Sequence, residues 1–117
     1  MKTKKELKNE YKQLKFPMGV FQIRNLKNGK IYIGSSLDLN AAWNSQRFQL
    51  EAGLHQNNKL QGEWKEFGAE NFIYEIVDVI KQKEESTLNY RKEIKLLEEL
   101  YINELQPFED KGYHHLK

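Results

Sequence analysis

The stretch Gly19–Ser36 constrains this chain more than any other, because two short β-prone runs flank the pair Asn28-Gly29. Asn-Gly favours a two-residue hairpin turn, whose central positions both take positive φ. Folding about that turn predicts Lys27 opposite Lys30, Leu26 opposite Ile31, Asn25 opposite Tyr32 and Ile23 opposite Gly34. Side chains alternate between faces along a strand, so Phe21, Ile23, Asn25, Tyr32 and Ser36 share one surface. Leu26, Ile31 and Ile33 take the other. Two aromatic rings thereby meet beside Gly34, where the missing side chain leaves room for another group.

The rest of the chain reads as helices and one further strand. Leu7, Tyr11 and Leu14 recur at helical spacing over residues 4–15, a segment rich in lysine that Pro17 brings to a stop. Residues 1–17 therefore form a basic N-terminal helix or arm, and residues 18–117 a single domain. Ser35-Ser36-Leu37-Asp38 supplies capping side chains for a helix that ends at Gly53 and buries Leu39, Ala42, Trp43 and Leu50. Asn57-Asn58 caps the next helix, with Leu60, Trp64 and Phe67 on its stripe, up to Gly68. Residues 71–80 alternate as a strand with apolar positions on both faces, which suggests a central strand. A long helix over 83–104 carries the stripe Tyr90, Ile94, Leu97, Tyr101 and Leu105. The predicted class is α+β, order αββααβα, with a small three-stranded, mostly antiparallel sheet and helices packed on it.

Composition excludes several function classes. The chain has no cysteine, which rules out disulfides and thiolate metal sites and makes the cytoplasm the expected compartment. No apolar run reaches membrane-spanning length, and the charged N-terminus lacks a signal-peptide core, so no membrane partner is expected. A net charge of +2 is too small to hold nucleic acid by bulk electrostatics, but it leaves room for local contacts with phosphates.

The triplets Gly19-Val20-Phe21 and Tyr32-Ile33-Gly34 resemble the two motifs of the GIY-YIG nuclease family, and the likeness runs from about residue 18 to 114. The resemblance implies a strand, strand, helix, helix, strand, helix domain that hydrolyses phosphodiesters with one divalent metal, Mg2+ or Mn2+. It sets Tyr32 at the second family tyrosine, near the attacking water, and Glu98 at the metal-binding glutamate. Phe21 takes the place of the first tyrosine and keeps the ring without the hydroxyl. Ala42 stands where the family has a phosphate-facing arginine, Gln46 where it has a histidine or other polar donor, and His114 where it has a late asparagine.

Ala42 is the gravest departure, since losing one preorganised charge donor costs about 10²–10³ in rate. Arg47 lies five residues on, about 140° around the helix, and belongs to another face unless its side chain curls back. His114 and His115 read most simply as a solvated tail, and His55 as a loop or cap residue. The first expectation is thus a nuclease-like domain that binds nucleic acid, DNA above all, with impaired or lost cleavage. A second is an active endonuclease in which Arg47 or His114 replaces the missing groups. A third is a protein-interaction domain on the same scaffold.

Overall fold

Strand β1 (Met18–Asn25) pairs antiparallel with β2 (Ile31–Ser36), but through a wider connection than the Asn-Gly pair suggests. The structure, a computed structural model, describes residues 17–80 and 90–114; the expected N-terminal helix and the first turns of the last helix lie outside the described residues. Asn28 and Gly29 do not form a two-residue turn. The Asn25 and Asn28 side chains accept from the backbone N–H groups of Lys27 and Lys30 at 2.8 and 3.0 Å. These Asx turns widen the connection to Leu26–Gly29, closed by Asn25 N–H on Lys30 O at 2.9 Å.

The register consequently moves by two residues, placing Ile23 opposite Tyr32 and Phe21 opposite Gly34. An even shift keeps every side chain on its expected face. Phe21 occupies the space beside Gly34: a Cβ on Gly34 would lie 2.4 Å from Cζ of that ring.

Strand β3 (Phe72–Ile80) pairs antiparallel with β1, giving the order β2-β1-β3. The central strand is β1, not residues 71–80 as their apolar pattern suggests. The reason is that helices cover both faces of the sheet, so even this edge strand meets apolar neighbours on either side. Its edge position shows at Ile76 and Val79, which stay about half exposed.

Helix α1 (Leu39–Ala52) starts at Asp38, whose carboxylate accepts from the N–H groups of Asn40 and Ala41, and stops at Gly53. Helix α2 (Asn58–Phe67) is capped by the Asn57 side chain accepting from Leu60 N–H. Both lie on the Phe21, Ile23 and Tyr32 face, where Leu39, Leu50, Leu60, Trp64 and Phe72 complete the core. Trp43 stacks on Tyr74 and meets Trp64 edge-on, so both tryptophans are core residues, as their helical spacing suggested. Helix α3 (Tyr90–Leu105) covers the opposite face, tied by Ser35 to Glu98 and by Tyr101 to Asp78. Among the described residues no helix is long and apolar enough to cross a membrane.

Beyond α3 the chain turns back through buried Pro107 and lays residues 112–114 along the free edge of β2. Tyr113 N–H donates to Ile31 O at 3.1 Å, and His114 N–H to Pro107 O at 3.0 Å. Tyr113 is fully buried, and its hydroxyl accepts from the Asn25 amide at 3.2 Å. Gly112 makes this approach possible: a Cβ there would lie 2.4 Å from Pro107 O and 2.6 Å from Ile31 O, both backbone atoms that yield little. Gly112→Ala is therefore expected to lower the unfolding free energy by about 1–3 kcal/mol. Urea denaturation checks this; an unchanged midpoint would mean that the segment does not pack as described.

Candidate active site

Tyr32 sits at the centre of the site, 8% exposed, between two imidazoles. His114 stacks on its ring with centroids 5.1 Å apart and planes 4° apart, and His55 meets it edge-on at 5.2 Å. Each imidazole is oriented from outside. The backbone N–H of Ile33 donates to Nε2 of His114 at 2.8 Å. The N–H of Asn57 donates to Nδ1 of His55 at 3.0 Å, which leaves the His55 proton on Nε2, facing Gln46 Oε1 at 2.6 Å. One nitrogen lone pair of each ring is thus engaged by a backbone amide.

The turn that carries His55 is held firmly. His55 N–H donates to Gln61 Oε1, the Gln61 amide donates to Leu50 O, and the Asn57 amide donates to Tyr113 O. Burial holds the His55 pKa below its ordinary value, with the Asn57 backbone contact opposing it. The Tyr32 pKa is raised, chiefly by burial; the Gln56 side chain works against this and the charge of Glu98 adds to it. At neutral pH Tyr32 is a phenol that can donate a proton, not a phenolate that can accept one.

Glu98 comes from α3, on the other face of β2. Ser35 donates to its Oε1 at 3.1 Å, and Lys95 Nζ stands 3.5 Å from Oε2, with the glutamate side chain 15% exposed. Its two partners line a cleft of about 550 Å3, walled by Ser35, Ser36 and Asp38 on one side and Arg91, Ile94 and Lys95 on the other. Among the described residues no three His, Cys, Asp or Glu side chains converge on one point. The hard oxygens of Glu98 and Ser35 suit Mg2+ or Mn2+, but a lone carboxylate needs substrate phosphate and water to fill the shell.

The structure therefore brings Tyr32 and His114 together on one face of β2, sets Glu98 with Ser35 on the other, and leaves Arg47 apart. Arg47 is exposed and pairs along the helix with Glu51 at 3.4 Å. Phe21 lies in the core at 2% exposure, and Ala42 is buried at 7%. His114 does not dangle in a solvated tail; edge pairing of residues 112–114 docks it on Tyr32. His55 lies in the loop between α1 and α2, as its sequence position suggests, but its ring is buried against Tyr32. Its neighbours in sequence do not mark it, because Gly53-Leu54 before it and Asn57 after it read as a helix end and a cap. Ser35 carries no local mark either, since its role depends on α3 covering that face.

Similarity to known proteins agrees with this geometry. The family described as the GIY-YIG catalytic domain matches residues 17–114. Intron-associated endonuclease 1 of Enterobacteria phage T4 is 38% identical over 50 residues, which make up 43% of this chain and 20% of that protein. The match thus spans a fifth of that relative's length. The catalytic domain of homing endonuclease I-TevI superposes with a TM-score of 0.69 at 30% identity, covering 86% of this chain and 99% of that one. The E75A mutant of the I-TevI catalytic domain gives 0.70 at 28% identity, covering 85% and 93%.

The His55 shift sets a sign for pH dependence. A histidine whose folded pKa lies below the unfolded value stabilises the fold fully above about 6.5 and loses that contribution as pH falls through the window beneath it. The stability difference between the parent and His55→Asn should therefore shrink as pH is lowered from 7.5 to 5.5 (about one unit either side of that value). Urea unfolding across that range checks it; a difference that grows on acidification would contradict the burial of a neutral His55.

Proposed function

The chain belongs to the GIY-YIG family, and from that premise we propose that it is a nuclease-type domain that engages DNA and cleaves phosphodiesters weakly or not at all. The observation that carries this reading is that α1 turns no cation toward Tyr32: Ala42 is buried in the core there. Ala42 presents a methyl group where a scissile phosphate needs positive charge, and Arg47 is turned to Glu51. The hydroxyl that Phe21 lacks removes a second polar group.

Metal chemistry in this reading falls to Glu98, steadied by Ser35. A bound Mg2+ or Mn2+ would neutralise charge developing on the phosphate and leaving oxygen. Tyr32, kept protonated by burial and by the charge of Glu98, donates a hydrogen bond toward that phosphate and orients it. His55 and His114 hold the phenol in place, each with one lone pair engaged by a backbone amide. With a carboxylate and a phenol but no guanidinium from α1, positioning outlasts charge stabilisation, and binding outlasts chemistry.

A second reading, an active endonuclease, draws support from the Ser35–Glu98 contact and from the charge of Glu98 acting on Tyr32. Incubation of the pure protein with supercoiled plasmid and Mg2+ or Mn2+ separates the two, alongside a salt-dependent gel shift. The expected result is a shift that weakens as salt rises, with little or no nicking. Robust nicking that Glu98→Ala abolishes would establish the second reading instead, and the absence of any shift would remove DNA as the partner.

A further inference from the structure

We propose that Arg91 and Lys95 form, with the Ser35-Ser36 turn, a seat for the DNA phosphodiester backbone beside Glu98. This rests on the reading of the chain as a DNA-engaging domain and names the residues that do the engaging. Arg91, Lys95 and Glu98 are spaced i, i+4 and i+7 on α3, so they line one face of the helix. Two of them wall the cleft of about 550 Å3, and the third meets it through Ser35 and Lys95. From Arg91 to Glu98 the helix rises about 10 Å, long enough for more than one phosphate of a strand.

The charges around the cleft decide what can enter. Arg91 and Lys95 are exposed and carry positive charge on long stems, and Lys95 reaches Glu98 only across 3.5 Å with most of its side chain in solvent. Lys95 is the exposed partner of that pair, so its ammonium stays accessible to a second anion. Asp38, on the opposite wall, already accepts from the N–H groups of Asn40 and Ala41, so the first turn of α1 offsets its charge. Ser36 donates to Asp38 O, while the Ser35 hydroxyl faces Glu98 at the cleft mouth. A phosphodiester, with a single negative charge and several acceptor oxygens, matches the two cations.

This arrangement moves the positive charge of the site from α1 to α3. The strand would lie along α3 with one phosphate between Arg91 and Lys95 and the next toward Glu98. Held there by α3, it is aligned at the pocket without the guanidinium that position 42 lacks.

Fluorescence anisotropy of a labelled DNA duplex, measured over a salt series, tests this. Each phosphate contact contributes about 0.9 to the slope of log affinity against log salt. Arg91→Ala with Lys95→Ala should lower that slope by about two and weaken binding roughly tenfold or more near 100 mM salt. Lys27→Ala, in the hairpin loop at the other end of β2, should leave both unchanged. Circular dichroism confirms that the exposed substitutions fold. Binding that persists with an unaltered slope in the double variant would overturn the phosphate seat while leaving DNA engagement standing. No binding by the parent at any salt would overturn both.

Discussion

The ring of Tyr32, clasped between His114 and His55, is the contact on which the rest of the structure depends. Three separate parts of the chain converge there: β2 carries the tyrosine, the α1–α2 turn brings one imidazole, and the segment after α3 brings the other. None of them could hold the geometry alone. The stacked His114 needs the Ile33 N–H on the open edge of β2, and that edge is reached only because Gly112 lets the chain pass close to Ile31 and Pro107. The edge-on His55 needs Gln61 and Asn57 to fix its turn. The amide at Ile33 would otherwise be an unpaired edge donor, so one hydrogen bond both closes the sheet and sets the site.

The same contact explains the electrostatics. A phenol surrounded by rings and close to Glu98 keeps its proton, and the imidazoles around it have each committed one nitrogen to a backbone amide. A hydrolytic site needs a group to take a proton and a cation to face the phosphate. This pocket is rich in orienting contacts on one side of β2 and draws its cations from the other. Ser35 leaves β2 on the α3 face and meets Glu98 there.

Much of this was legible in the sequence where local chemistry decides the outcome. Asp38 and Asn57 cap their helices, Gly53 and Gly68 end them, and the Trp43, Trp64 and Phe67 spacing belongs to the core. The faces of β1 and β2 were legible too, although the register was not. Asn25 and Asn28 can serve a tight turn or two Asx turns, and the buried Asn25 amide, bonded to Tyr113 and Glu63, selects the second. Residues far apart in the chain make that choice, so no local pattern reveals it. The same holds for His55 and His114, whose environments are built by Gln61, Asn57 and Ile33. The apolar pattern of β3 misled for a different reason: alternation reports whether both faces are covered, not whether both edges are paired.

Position 42 offers the most direct test of the claim that missing positive charge on α1 limits the chemistry. Ala42 stands one helical turn before Gln46, whose side chain already reaches His55, so a longer side chain there is aimed along the same face. The decisive measurement is the single-turnover rate of duplex DNA cleavage with Mg2+ for the parent and for Ala42→Arg, with thermal melting to confirm that both fold. A rise of about 10²–10³ in the variant is the predicted result. Equal rates in two folded proteins, the parent already cleaving fast, would contradict it.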